Sequence, residues 1–496
     1  MTPGSVPLAA GPALAIRAAA TREASTPGER SVECDGGARG GYGSRAASGP
    51  GVRRHPSSYK LVKTPLEQSP GAKPGDAAPQ PAVGVQSAHA PRFLVSARGR
   101  AFRALAHRDY RLLFTAFCIS HTGFWLSHIS MQGLMVELSG NDPRYLGLLF
   151  FCLFIPAFVL APLAGVAADR LDRKRILTCC YLALGVLTGI LAFATAREVV
   201  TAAGLLAIAT LFGTSFAFSS PASFALAANA VPAADLPSAV SLSSAANNLT
   251  RVLGPLIAAP LVVSGAFAFG FAGYMGAALL AALLTLALRI SPHAPDSDEP
   301  GMLGRLRRGL EHARERKPAI PALLTVATLS LFGVSHAALL PVYAQRALGD
   351  ENLFAWIVVA AGVGSIAGSL TTGYRRGAPT LPTVGLYTLG YGIALGGFAV
   401  SRSLPLALLA QLAIGFFYFS VMTSLQTLLQ QIVDESKRGR IMSLFQICWA
   451  GLVPFGGLGM GVAAGTFGVG ATLIGGAAVC SAFGAAMALR AGRTAA

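Results

Sequence analysis

Long apolar blocks separated by short polar loops dominate the chain from residue 112 to residue 489. Each block is about 20 residues long, the length that a helix needs to cross the hydrocarbon core of a bilayer. The pattern therefore predicts an all-α membrane protein with twelve transmembrane helices. The predicted spans are 112–136, 145–168, 176–195, 201–227, 240–263, 271–288, 320–341, 353–372, 382–400, 405–430, 441–463 and 470–489.

A longer polar stretch divides these spans into two sets of six. The predicted domains are a tail (1–97), a six-helix bundle (98–288), a cytoplasmic linker (289–319) and a second six-helix bundle (320–490). The tail is rich in Ala, Gly, Pro, Ser and Arg without sustained periodicity, so it cannot bury enough apolar surface to order itself. We expect a disordered cytoplasmic tail. The alternative is a later translation start, for which Val95 is a candidate.

The composition is also typical of a membrane protein. It is 53% hydrophobic and 12% charged, whereas soluble domains average about 25% charged residues. The net charge of +17 does not indicate nucleic-acid binding, because the basic residues cluster in loops between apolar blocks. The seven cysteines are scattered without metal-site spacing, and we expect no metal and no cofactor.

Loop charges predict the orientation. From residue 98 onward, the loops on the side of both termini carry 23 Lys and Arg residues, against four in the loops on the other side. Basic loops stay in the cytoplasm. Both termini are therefore predicted to be cytoplasmic, in a multi-pass protein of the cell (inner) membrane. The four residues on the other side are Arg144, Arg197, Arg346 and Arg402.

The loop after the second span is the most charged part of the membrane region. Six of the seven residues from 169 to 175 are charged. The pattern Gly-x-x-x-Asp-Arg-x-x-Arg-Lys resembles the loop between the second and third helices of the major facilitator superfamily. The resemblance implies that fold and a conformational latch between the two halves; the alternative is a topology signal only. The latch residues would be Gly165, Asp169, Arg170, Arg173 and Lys174.

The fifth span carries two further candidates. Gly254-Pro255-x-x-Ala-Ala resembles the motif of the family's antiporters, in which it seals the inward path; an ordinary kink is the alternative. Arg251 is the basic residue placed deepest in the membrane, and such a charge must face a wet cavity or a partner. We expect it to anchor an anionic substrate group or a coupling partner. Alternatively, it makes a structural hydrogen bond to backbone carbonyls or to Asn248.

Histidines are the protonatable candidates, because no acidic residue lies clearly inside a predicted span and His titrates near neutrality. On the first span, His121, Trp125, His128 and Gln132 form a face that is too polar for lipid and should line the cavity. His336 lies on the seventh span. The alternative is that these are satisfied histidines between helices.

Aromatic residues gather on two spans. Phe212, Phe216 and Phe218 lie on the fourth span, and the run 416–419 lies on the tenth. Such rings either bind a partly aromatic solute or pack against lipid and neighbouring helices. Trp449 on the eleventh span is a further amphipathic candidate.

Several short motifs resemble the transmembrane secretion effector group of the superfamily, which includes the enterobactin exporter. That resemblance implies export from the cytoplasm. We therefore expect a monomeric secondary exporter of a siderophore- or drug-like small molecule, working by alternating access and coupled to protons. Alternatives are an importer or facilitator, and a non-transporting receptor or scaffold. An enzyme is not expected, because no nucleophile, base or phosphate-binding loop clusters at a membrane face. The motifs are Leu113-Phe114, Ser120-x-x-Gly123-x-Trp125, Ser220-Pro221-Ala222, Val231-Pro232, Leu236-Pro237-x-Ala239, Arg251-x-x-Gly254-Pro255 and Arg438-Gly439-Arg440-x-Met442-Ser443.

Overall fold

Six long spans form nearly all of the described residues 102–290. The computed structural model describes residues 102–290, 318–350, 353–375, 377–432 and 438–492, so the predicted tail and almost all of the linker lie outside the described residues. For Asp169, Ser443 and residues 438–440 and 490–492 the description covers the backbone only. The first six spans are α1 (Arg108–Ser139), α2 (Pro143–Val159, continued by Ala161–Arg170), α3 (Arg173–Ala196), α4 (Ala202–Asn229), α5 (Leu236–Val263) and α6 (Phe267–Leu286).

The second half repeats this arrangement. Eleven described helices are long and apolar enough to cross a membrane, and the bent α2 brings the number to twelve. The predicted all-α, twelve-span fold is therefore confirmed. The second six spans are α7 (Ala319–Leu348), α8 (Phe354–Tyr374), α9 (Leu381–Val400), α10 (Leu404–Ile432), α11 (Arg438–Gln446, a π turn at Ile447–Gly451, then Val453–Phe467) and α12 (Val469–Gly492).

Two spans depart from regular α-helix. α2 bends by 48° between its two segments. Pro162 follows the bend directly, and a proline cannot donate the hydrogen bond that would continue the helix. α7 passes through a π turn at Leu329–Gly333 and a 3₁₀ segment at Val334–Leu339. Such departures in the middle of a span re-aim the side chains that follow them.

The antiparallel spans define two ends of the bundle. We call the end that carries residues 170–175 the charged end, and the other the opposite end. The two bundles meet through small residues near the opposite end. A Cβ on Gly147 of α2 would lie 2.8 Å from the Gly457 carbonyl oxygen and 2.9 Å from Gly461 Cα of α11. Helices in lipid associate by such close backbone approach, because lipid supplies no hydrophobic drive.

The bundles also meet along α5 and α8, where a Cβ on Gly362 would lie 2.8 Å from the Val252 side chain. The charged end of α2 differs, because a Cβ on Gly165 would have no atom of the described residues within 4 Å. The two halves are thus tightly packed at the opposite end, while no described residue packs against the Cβ position of Gly165 on α2.

We predict that Gly461→Val lowers the thermal unfolding midpoint, because its side chain must push α2 and α11 apart at a cost of about 1–3 kcal/mol. The matched control is Gly459→Val on the same helix, where a Cβ meets nothing within 4 Å. Tryptophan fluorescence of the purified protein follows both transitions. Equal midpoints for the two variants would show that this glycine contact does not hold the bundles together.

Candidate functional site

A positive charge lies at the junction of the two bundles. Arg251 is near the middle of α5, and its Cζ lies 5.0 Å from the Trp125 ring centroid and 5.0 Å from the Phe419 ring centroid. Both distances are within the range of cation–π attraction. Trp125 belongs to α1 in the first bundle and Phe419 to α10 in the second. The guanidinium therefore joins the two bundles through their aromatic rings.

Gly254 brings α1 close enough for this contact. A Cβ at this position would overlap Trp125 Cβ and lie 2.9 Å from the Thr122 carbonyl oxygen. Gly254 is three residues after Arg251, so the two share a face of α5. α5 itself continues without a break through Pro255. The glycine of the predicted motif is thus needed for packing beneath the site, and the predicted kink stays a prediction.

Three polar atoms at the site are buried without a hydrogen-bond partner among the described residues: Arg251 Nε, Trp125 Nε1 and Asn248 Oδ1. The alternative expectation, a structural hydrogen bond between Arg251 and Asn248, is therefore not met at these two atoms. Buried polar groups are normally hydrogen-bonded, so each exception calls for a functional explanation. Here the exceptions gather around one cation.

The second bundle supplies a phenol and a second indole. Trp449 of α11 donates from Nε1 to the Tyr418 hydroxyl at 2.7 Å. Tyr418 interacts electrostatically with Arg251, and its hydroxyl keeps its own proton to donate. The sequence left two interpretations for the aromatic run 416–419: binding of a solute, or packing against lipid and neighbouring helices. The contacts of Phe419 and Tyr418 place part of this run at the central site.

The aromatic residues of α4 lie in a different environment from those of α10. Phe212 is fully buried, with its ring centroid 5.4 Å from that of Phe124 and 5.5 Å from that of Tyr274. Phe216 lies 4.8 Å from Phe124 by the same measure. These rings pack within the first bundle, as the packing interpretation of the sequence expects.

The polar face of α1 is divided between two environments. His128 stacks on Trp125 with ring centroids 5.7 Å apart and an interplanar angle of 14°, so it extends the stack that contains Arg251. His121 instead stacks on Phe117 at 4.9 Å and on Phe124 at 5.8 Å. The face that the sequence predicted is thus continuous in space, and both of its histidines approach the cation: His128 through the Trp125 ring, and His121 through an electrostatic interaction with Arg251.

His128 is incompletely paired. Gln132 Nε2 donates to His128 Nε2 at 2.7 Å, which leaves the ring proton on Nδ1. His128 Nδ1 and Gln132 Oε1 are both buried without a partner among the described residues. His128 therefore has a ring N–H that is free to donate a hydrogen bond. A change in the protonation of this ring would change which hydrogen bonds it can make with a solute or with neighbouring groups.

His336 lies apart from the others and is well paired. Its Nδ1 contacts the Gly333 carbonyl oxygen at 2.8 Å and the Tyr391 hydroxyl at 3.4 Å, and its Nε2 contacts Gln411 Nε2 at 3.1 Å. The irregular part of α7 creates this arrangement, because Gly333 ends the π turn just before His336. His336 therefore matches the alternative expectation of a satisfied histidine between helices.

The predicted latch residues gather at the charged end. Arg170 is exposed, Arg173 Nε donates to the Ala168 carbonyl oxygen at 2.8 Å, and Lys174 Nζ donates to the Leu288 carbonyl oxygen at 2.8 Å. Both hydrogen bonds stay within the first bundle. For Asp169 the description covers only the backbone, which lies in the second segment of α2. The latch between the halves stays a prediction.

The sequence and fold match proteins that are already known. A family profile described as "Transmembrane secretion effector" covers residues 100–494. The chain belongs to this family of the major facilitator superfamily. Members and structural neighbours are transporters rather than enzymes, so the chain is a multi-pass membrane transporter.

Two relatives of this secretion effector carry functional names. The chain is 25% identical over 367 residues to the staphyloferrin A transporter of Staphylococcus aureus, covering 72% of this chain and 90% of the relative. It is 26% identical over 310 residues to macrolide efflux protein A of Enterococcus faecalis, covering 59% of this chain and 92% of the relative.

Solved structures share the fold. A peptide transporter of the POT family has a TM-score of 0.65 at 13% identity, covering 78% of this chain and 95% of that chain. A bacterial homologue of the human lysosomal transporter Spinster, in an inward-facing and occupied conformation, has a TM-score of 0.60 at 16% identity, covering 78% and 97%. At these identities the likeness establishes the fold alone.

We predict that Gly254→Ala displaces Trp125 from Arg251, because the new methyl group overlaps its Cβ. Acrylamide should then quench the tryptophan fluorescence of the purified protein more strongly. Gly276→Ala on α6 is the matched control, since a Cβ there meets nothing within 4 Å. Unchanged quenching in Gly254→Ala would contradict the role given to this glycine.

Proposed function

We propose that this transporter exports a small organic molecule, siderophore- or drug-like, from the cytoplasm across the cell membrane by alternating access. The observation that carries the proposal is the position of Arg251 between Trp125 and Phe419, one ring from each bundle, with no hydrogen-bond partner for its buried Nε among the described residues. Transporters of this architecture bind substrate near the bilayer midplane between their two repeats. The names of the two relatives, a staphyloferrin A transporter and a macrolide efflux protein, support both the solute size and the direction.

The loop charges assign the charged end to the cytoplasm. With that orientation, the close contact of Gly147 and Gly461 closes the outer side, while on the inner side no described residue packs against the Cβ position of Gly165. This arrangement corresponds to an inward-facing state that accepts solute from the cytoplasm. Rocking of the bundles would separate α2 from α11 and bring the inner ends together, where the predicted latch would act.

Coupling to protons is proposed through His128. Acidic side chains of the described spans lie only near helix ends, which leaves histidine as the protonatable group at depth. His128 adjoins Trp125 and has an unpartnered Nδ1, whereas both ring nitrogens of His336 are occupied. An importer or facilitator would share this architecture, and direction therefore has to be measured.

If the protein is an exporter, its substrate should accumulate inside cells that lack the gene and should be depleted from their medium. Untargeted mass spectrometry of cells and medium should find it, and the wild-type gene should restore its release. Arg251→Gln should lower release at least about 10-fold, the effect of losing a charge-assisted contact. Arg346→Gln, which removes an exposed arginine, should release it normally. An importer would give the reverse distribution, and a scaffold would change no compound.

We further predict that His128→Gln abolishes the dependence of export on an imposed pH gradient, because His128 stacks on Trp125 and its Nδ1 has no hydrogen-bond partner among the described residues. His336→Gln should lower stability by about 1–3 kcal/mol through the broken Gln411 contact but keep the dependence. Uptake of the compound into everted vesicles, which corresponds to export from the cell, tests both when it is measured with and without a gradient. Gradient-dependent export by His128→Gln would remove this residue from the coupling mechanism.

A further inference from the structure

The charge of Arg251 has no acidic partner within the membrane region that the structure describes. Every Asp and Glu of the described residues lies in a loop or within three residues of a helix end. An uncompensated charge at this depth costs several kcal/mol. The flanking rings of Trp125 and Phe419 attract the cation, but a ring carries no lone pair in its plane to accept an N–H hydrogen bond. The guanidinium still needs an acceptor.

The unmet groups around this charge are mainly donors. Arg251 Nε and Trp125 Nε1 are buried and unpartnered, and Tyr418 accepts from Trp449 while keeping its own proton. Among the described residues, the unpartnered acceptors near the stack are Asn248 Oδ1 and Gln132 Oε1, and His128 Nδ1 is a further unpartnered donor. Several donors around a cation suit a ligand group that is negatively charged and rich in lone pairs. A carboxylate meets both needs, because it accepts up to about four hydrogen bonds and pairs with the arginine fork.

We infer that the site selects organic anions, and that a carboxylate of the transported molecule is the counter-ion of Arg251. The inference rests on the proposed transport function and narrows it, because an organic cation placed here meets repulsion from Arg251. Trp125 is a positioning and binding residue on the side of the first bundle, and Phe419 and Tyr418 are the corresponding residues of the second. Neutralisation by the bound anion would lower the cost of closing the site, which couples binding to the change of state.

Ligand-induced stabilisation tests whether the site binds carboxylates, since a ligand that binds the folded state raises the unfolding temperature of the protein. The purified full-length chain is placed in phosphatidylcholine nanodiscs, which bring no net anionic headgroup. Its unfolding midpoint is measured by tryptophan fluorescence with sodium benzoate, with sodium citrate, and with sodium chloride at equal ionic strength. Benzamide and benzylammonium serve as the neutral and cationic counterparts of benzoate.

We expect at least one carboxylate to raise the midpoint of the wild-type protein by about 2–4 °C, with no shift from chloride, benzamide or benzylammonium. Arg251→Gln should lose this shift, and Arg251→Lys should keep part of it, since a lysine retains the charge without the fork. Trp125→Phe should reduce it, because the ring remains and the N–H donor is lost. Arg346→Gln, which removes an exposed arginine of the opposite end, should respond like the wild type.

Three results would overturn the inference: no shift with either carboxylate, an equal shift in Arg251→Gln, or an equal shift with chloride, which would indicate a general anion site. The compound identified by the export assay supplies an independent check, because it should carry a carboxylate. Export that continues in Arg251→Gln with unchanged selectivity contradicts the inference and the role given to Arg251, but not export itself. Absence of any transported compound contradicts the proposed function instead.

Discussion

A positive charge in the middle of a membrane must be compensated, and the centre of this transporter is organised by that requirement. Arg251 meets Trp125 from one bundle and Phe419 from the other, each at 5.0 Å. These contacts lower the cost of the charge without hydrogen-bonding its buried Nε. Because the two rings belong to different bundles, any movement between the bundles alters the surroundings of the cation. In the proposed mechanism, solute binding and bundle movement therefore act on the same group.

Close backbone contact is the second constraint, and it is used in two ways. Gly254 lets α1 approach α5 within the first bundle and so positions Trp125 beneath Arg251. Gly147 and Gly461 let α2 and α11 touch across the two bundles. The first contact holds a site together, whereas the second is one that a rocking movement has to break. Contacts between glycines suit such an interface, because separating them leaves no large side chain without a packing partner.

Hydrogen bonds at the charged end hold the first bundle together as a unit. Lys174 of α3 donates to the Leu288 carbonyl oxygen just after α6 at 2.8 Å, and Tyr110 of α1 donates to the Ala239 carbonyl oxygen of α5 at 2.8 Å. His107 and Asp235, which precede α1 and α5, pair at 2.9 Å. These bonds link helices at the end where no described residue packs against the Cβ position of Gly165. They suit a bundle that would move as one body, as the proposed alternating access requires.

The sequence alone predicts the twelve spans and the charged loop that resembles the major facilitator superfamily. It can do so because the length of an apolar block and the charge of a loop are local properties that decide how a segment lies in the bilayer. The same local reasoning places Arg251 and the polar face of α1 at depth. It does not distinguish His128 from His336, or the rings of α4 from those of α10. Those distinctions depend on contacts between helices far apart in the chain, such as Arg251 with Phe419 and His336 with Gln411. Only the tertiary packing decides which buried polar atoms are satisfied and which are left for a ligand.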